Sequence, residues 1–213
     1  NHVMGYMLAF LRRFPELAAN QKKHTWVRPM PDEATGKRIC IIGMGNIGQE
    51  IARVAKTFDM FVTGIRRTQT PVEFVDEIRP TEALDAVLAK ADFTIMLLPI
   101  NEQTRGFMTT QRFAAMKPGS YFINVGRGQT VDEAALADAL RSGHLGGAAL
   151  DAFEEEPLPE DSPLWDMPNV LITPHLAADT PFYMNRAFAL AAKNLTRLQA
   201  GQPLLSQVDL NDR

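Results

Sequence analysis

From residue 37 onward the hydrophobic positions alternate between two patterns. Residues 39–42, 60–65, 93–98, 121–125, 148–152 and 170–173 form short, almost wholly apolar runs rich in β-branched and aromatic side chains, which predicts strands buried on both faces. Residues 51–58, 83–91, 110–116 and 132–142 carry apolar positions at helical spacing, and 182–200 predicts a long closing helix. Buried strands separated by helices require a parallel sheet with right-handed crossovers, so the fold class is α/β, a doubly wound Rossmann-type sheet with flanking helices.

Before this block, residues 1–14 are apolar at 3, 4, 7, 8, 10, 11 and 14. That spacing predicts a helix with little polar face, entered from a preceding segment and offering one face to a second subunit; a tag joined to a surface helix is the plainer alternative. Residues 16–31 read as a looping connection anchored by Trp26, with Pro29 and Pro31 interrupting regular structure. The expected organisation is an interface or interdomain segment at 1–31, a dinucleotide-binding domain at 32–181, and a C-terminal helix and tail at 182–213.

The stretch KRICIIGMGNIGQE, residues 37–50, sharpens this picture. A strand runs into Gly43, Met44, Gly45, Asn46, Ile47 and Gly48, and a helix follows. In a dinucleotide fold the first glycine permits the sharp turn, the second lets backbone approach a pyrophosphate, and the third lets helix and strand pack closely. The helix start supplies free N–H groups and a positive dipole end. Ligands of such sheets bind beyond the carboxyl ends of the strands, which directs attention to residues 43–48, 66–68, 99–104, 126–128, 151–156 and 173–175.

An NAD site places an acid at the end of the second strand to bond the ribose hydroxyl. Here Arg66, Arg67 and Thr68 stand at that place. Two guanidiniums suit the 2′-phosphate of NADP, so NADP is the preferred cofactor over NAD; solvated loop cations are the plainer reading of the same residues.

Bulk composition excludes some classes. A formal net charge of -3 provides no basic field for nucleic acid. No apolar run reaches the ~18 residues needed to span a membrane. Cys40 is the one cysteine, so there is no internal disulfide framework, and a reducing, cytoplasmic setting fits.

Three later stretches carry the chemistry: NVGRGQTVDE at 124–133, LDAFEEEPLP at 150–159 and TPHLAA at 173–178. Together with LLPINEQTRGF and the closing NLTRLQAGQPLLSQVD, in matching order, they make the chain resemble the D-isomer-specific 2-hydroxyacid dehydrogenases, in particular their glyoxylate/hydroxypyruvate reductase-like branch. The resemblance implies that Arg127, Glu156 and His175 are the catalytic arginine, glutamate and histidine. It implies cofactor contacts from Pro99, Thr104, Val125 and Gly126, and a nicotinamide carboxamide contact from Asp151.

Reducing a 2-oxo acid needs a hydride delivered to the carbonyl carbon, a proton donor and a cation for the carboxylate, and these residue types can provide the last two. A packed turn histidine, a solvated acid and a loop cation are the plainer readings of the same three. The resemblance also implies a small 2-oxo or 2-hydroxy acid as partner, a homodimer with its contact on the helix at 3–14 and the Trp26 loop, and a substrate-side domain largely absent from this chain. The same family includes corepressors, which makes an NAD(P)-sensing binding protein the competing class.

Overall fold

The computed structural model describes residues 1–207; the expected tail at 208–213 lies outside the described residues. The chain divides into two compact units, Asn1–His175 and Leu176–Arg213.

The first unit opens with helices α1 (His2–Leu11) and α2 (Phe14–Lys22). Strand β1 (Arg38–Ile42), helix α3 (Asn46–Lys56), and strands β2 (Phe61–Ile65) and β3 (Glu77–Arg79) follow. Helix α4 (Leu84–Leu88), strand β4 (Phe93–Met96), helix α5 (Thr110–Ala115) and strand β5 (Tyr121–Asn124) come next. Helix α6 (Glu133–Arg141) and strands β6 (Gly147–Leu150) and β7 (Val170–Ile172) complete the unit. All seven strands are parallel, in the order β3-β2-β1-β4-β5-β6-β7. The order reverses between β1 and β4, where a doubly wound sheet opens its ligand crevice.

The strand period of two sorts the core. Ile39 and Ile41 of β1 face a cluster with Ile51, Ala52 and Ala55 of α3, whereas Cys40 and Ile42 face the cluster holding Leu84, Leu88, Phe113 and Leu136 from the other helices. Burial pushes the Cys40 thiol up to about 12, so it is a small core side chain rather than a nucleophile.

Several expectations from sequence need correction. Helix α1 does not keep an apolar face for a second subunit: Val3, Met4, Tyr6, Met7, Phe10 and Leu11 are buried against Ile39, Ile123 and Ala149. A sheet buried on both faces needs that cover, and the all-round apolar character of α1 suits it.

Part of the connection read as a loop is helix α2, started by Pro15 in its first turn and ion-paired from Arg13 to Glu16. Trp26 anchors nothing within the described chain; it is 92% exposed. The polar stretch before α4 contains the three-residue edge strand β3, too short and too polar to carry a strand pattern but paired in register with β2. Helix α3 begins at Asn46, so the glycine loop itself supplies the first helical turn.

The second unit is mostly helix α7 (Tyr183–Gln199), none of whose residues is buried. Met184, Phe188, Leu195 and Leu198 are exposed along it at spacings that share one helical face. Its end is closed by Asn194, which exchanges two hydrogen bonds with the backbone of Leu205, and by Arg197, which donates to the Pro203 carbonyl.

If α1 is core, truncating its most buried side chain is costly. Met7→Ala should lower the unfolding free energy by about 2–4 kcal/mol in urea titration, where a loss below about 0.5 kcal/mol would place the helix off the sheet.

Candidate active site

At the carboxyl edge of the sheet, β1 ends in Gly43, whose φ of +108° favours glycine. A Cβ on Gly48 would lie 2.4 Å from the Gly43 carbonyl oxygen, so this residue lets α3 pass close to β1, as its place in the motif predicts. Gly45 is the N-cap of α3 and supplies no side-chain cap, and a Cβ there would meet nothing within 4 Å. An uncapped helix start below open space fits a pyrophosphate, which would take the N–H groups of the first turn.

Arg66, Arg67 and Thr68 follow β2 directly, at the place where a dinucleotide fold would receive the adenosine ribose. The Arg66 amide is held by the Arg79 carbonyl at 3.1 Å, which ties this loop to β3.

Thr104 folds the loop after β4 back on itself. Its hydroxyl donates to the Pro99 carbonyl at 2.6 Å and accepts from the Asn101 amide at 2.8 Å. Its proton is therefore committed inside the loop, and the residue shapes the wall between Pro99 and Thr104.

After β5 comes the segment with Val125, Gly126 and Arg127. Asn124 braces it from within: its side-chain oxygen accepts from the Gly126 amide at 3.0 Å and its amide donates to the Arg127 carbonyl at 3.1 Å. Thr130, fully buried, donates to the same carbonyl at 2.6 Å. Both residues were missed as site residues from sequence, although a polar Asn ending an apolar strand was a visible signal. The Arg127 side chain is exposed and donates to the Gly126 carbonyl at 2.7 Å.

This loop is pressed against the next one. A Cβ on Gly128 would lie 1.8 Å from the backbone carbon of Phe153, so only glycine permits the crossing. Gln129 donates to the Glu154 carbonyl at 3.0 Å, and the Glu154 amide donates to Glu133 at 2.6 Å. The segment carrying Arg127 and the segment carrying Glu156 are thereby locked together.

Glu156 then reaches back with one oxygen to accept from the Phe153 amide at 3.0 Å, and with the other meets His175 Nδ1 at 2.7 Å. Burial works against its charge, but the bonds from His175 and Phe153 and the positive charges of His175 and Arg127 outweigh it, holding the carboxyl below its ordinary value. This singles out Glu156 from its neighbours Glu154 and Glu155.

His175 itself stands at φ +50°, a left-handed conformation that costs a non-glycine residue about 1 kcal/mol or more. Phe153, Glu156, Pro157, Leu158, Trp165, Ile172, Pro174 and His175 enclose a cavity of about 430 Å³ beside the pair. Asp151, after β6, is buried, and its Oδ1 accepts from the Thr173 hydroxyl.

The loops proposed for the site thus follow β1, β2, β4, β5, β6 and β7 at the carboxyl edge of one sheet, and Glu156 and His175 are in direct contact. Among the described residues no helix is long and apolar enough to cross a membrane.

The chain is similar to known proteins over most of its length. The family described as D-isomer specific 2-hydroxyacid dehydrogenase, NAD binding domain, matches residues 4–177. The chain is 37% identical over 210 residues to D-3-phosphoglycerate dehydrogenase of Mycobacterium tuberculosis, covering 94% of this chain and 38% of that protein. It is 39% identical over 200 residues to glyoxylate/hydroxypyruvate reductase B of Escherichia fergusonii, covering 91% of this chain and 61% of that protein. The crystal structure of an NADPH-dependent glyoxylate/hydroxypyruvate reductase from Sinorhizobium meliloti, in complex with NADP and sulfate, superposes with a TM-score of 0.89 at 38% identity, over 97% of this chain and 66% of that one. The chain therefore spans less than two thirds of the length of these two relatives.

Because the folded-state Glu156 carboxyl sits below its unfolded value, its contribution to stability is present above the ordinary glutamate range, about pH 4.3, and is lost as pH falls through the folded-state value. Urea titrations of the native chain and Glu156→Gln from pH 6 to pH 3 should show the native chain's advantage shrinking toward the acid end. The advantage should be small, since the side chain is 36% exposed.

Proposed function

The chain belongs to the D-isomer specific 2-hydroxyacid dehydrogenases, and on that footing we propose that the protein reduces a small 2-oxo acid of the glyoxylate or hydroxypyruvate kind to the D-2-hydroxy acid, with NADPH preferred over NADH. The observation that carries this reading is the 2.7 Å contact between Glu156 and His175 Nδ1 at the carboxyl edge of the sheet, with the charge of Arg127 acting on the same carboxylate.

A carboxylate against Nδ1 holds a proton there and fixes the ring, which leaves Nε2 as the nitrogen that exchanges a proton with substrate. In the proposed reaction a reduced nicotinamide held at the glycine loop would supply the hydride for the carbonyl carbon. His175 gives its Nε2 proton to the carbonyl oxygen, and the electron pair of the broken C=O bond becomes the new O–H bond. Arg127 pairs with the substrate carboxylate and polarises the carbonyl. Glu156 stays ionised throughout and stabilises the charged ring.

The cofactor reading rests on the glycine loop for the pyrophosphate and on Arg66, Arg67 and Thr68 for a 2′-phosphate. It gains support from the NADP bound to the Sinorhizobium relative.

Two assembly readings go with this function. The exposed apolar stripe of α7 supports a helix that returns to a substrate-side domain, which would supply the second wall of the cleft and exclude water. For a homodimer, the exposed apolar side chains Phe14, Leu17, Trp26 and Met30, rather than the buried face of α1, are the surface that supports a contact.

His175→Ala should reduce turnover of the 2-oxo acid by about a hundredfold or more while the NADPH dissociation constant stays within about twofold; retained turnover would remove the histidine from the chemistry. NADPH oxidation measured against glyoxylate, hydroxypyruvate, pyruvate and bulkier 2-oxo acids identifies the substrate, and silence on all of them favours a binding role. Arg66→Asp should raise the KM for NADPH by about 10- to 100-fold and leave that for NADH nearly unchanged.

A further inference from the structure

Thr173 is the residue just after β7 and the first of the Thr-Pro-His segment. Its hydroxyl has three polar neighbours. It donates to Asp151 Oδ1, it meets the Tyr6 hydroxyl, and His2 Nε2 lies 3.0 Å away. Tyr6 and His2 both belong to α1, more than 160 residues away in sequence, and their rings contact edge-on with centroids 4.6 Å apart.

A threonine hydroxyl has one proton and two acceptor sites. With the proton given to Asp151, both acceptor sites must be filled by donors. Tyr6 therefore donates its O–H, and His2 carries its proton on Nε2. Burial keeps the phenol in its protonated form, pushing it up to about 12. The cluster has one direction: two donors on α1 feed Thr173, which feeds the carboxylate. His2 Nε2 is 3.7 Å from Asp151 Oδ1, so its action on the acid runs chiefly through the threonine.

We propose that Tyr6 and His2 are positioning residues for the nicotinamide end of the cofactor: acting through Thr173, they fix the carboxylate of Asp151 that receives the carboxamide N–H. The proposal rests on the assignment of Asp151 to the carboxamide. A buried carboxylate can turn about its last torsion unless its oxygens are held, and the orientation of the carboxamide decides how the nicotinamide ring presents its hydride. Misplacement by about 1 Å costs roughly a hundredfold in rate.

The same threonine lies two residues before His175 and its carbonyl accepts from the His175 amide at 3.0 Å. One residue thus touches both sides of the reaction, its hydroxyl joining Asp151 to α1 and its carbonyl holding the His175 backbone.

A cluster that merely ties α1 to the sheet makes a different prediction, and a ligand pair separates the two. NADPH and 2′-phospho-ADP-ribose share everything except the nicotinamide, so their affinities for the protein, measured by calorimetry, isolate the nicotinamide end. Tyr6→Phe keeps the ring and removes only the O–H; Thr173→Val keeps the shape and removes the hub. Each should weaken NADPH by about 3- to 10-fold and leave 2′-phospho-ADP-ribose within about twofold. His2→Leu should behave likewise, and His2→Gln, which retains an N–H near the Nε2 position, should restore NADPH affinity.

Equal losses on both ligands, or no loss on either, would overturn the proposal. Asp151→Asn is the reference. If it narrows the gap between the two ligands while Tyr6→Phe and Thr173→Val do not, the positioning role fails and the carboxamide assignment stands. If it leaves the gap unchanged, the assignment itself fails and the proposal with it.

Discussion

Seven parallel strands buried on both faces must be covered on both faces, and the rest of this structure follows from how that cover is found. Alternate residues of β1 point into two separate cores, one closed by α4, α5 and α6, the other by α3 and α1. The second face would be left half open by α3 alone. Helix α1, apolar on most sides, fills the gap beneath β4, β5 and β6 with Met7, Phe10 and Leu11, and Phe10 stacks on Tyr121 at 4.6 Å between centroids.

That packing requirement sets up the polar arrangement at the sheet's edge. Once α1 lies on the sheet, its first turn reaches the carboxyl ends of β6 and β7, and His2 and Tyr6 meet Thr173 beside Asp151. On the other side of the same edge, the close crossing at Gly128 presses the Arg127 loop onto the Phe153–Glu154 backbone. Asn124 and Thr130 then fix the Arg127 carbonyl from below. The proposed catalytic groups stand on loops whose backbones are held by buried side chains, which limits how far they can drift.

The two ends of the site have different physical characters. The glycine loop offers backbone N–H groups and a helix dipole, a fixed surface that needs no titrating group. The Glu156–His175 pair offers protonation and charge, tuned by a partly exposed carboxylate and an arginine field. A chain that spans 61% of one relative and 38% of another shows the cofactor side of such a cleft.

Much of this was legible in the sequence, because it depends on local periodicity. The strand and helix alternation, the parallel sheet and the role of Gly48 in close packing follow from spacing along a few residues. Arg127, Glu156 and His175 were marked by short motifs in a fixed order. The edge strand β3 escaped because three residues with two charges carry no pattern, and α2 because its polar surface gives helical spacing nothing to display. The destination of α1 escaped for a different reason: an all-apolar helix fits a subunit contact or a sheet face equally well until the sheet exists. Glu156 was chosen among three consecutive acids on the family resemblance, and its 2.7 Å contact with His175 agrees with that choice. The cluster of His2, Tyr6, Asp151 and Thr173 had no sequence signal, since its members are brought together only when the first helix and the last strand of the sheet meet.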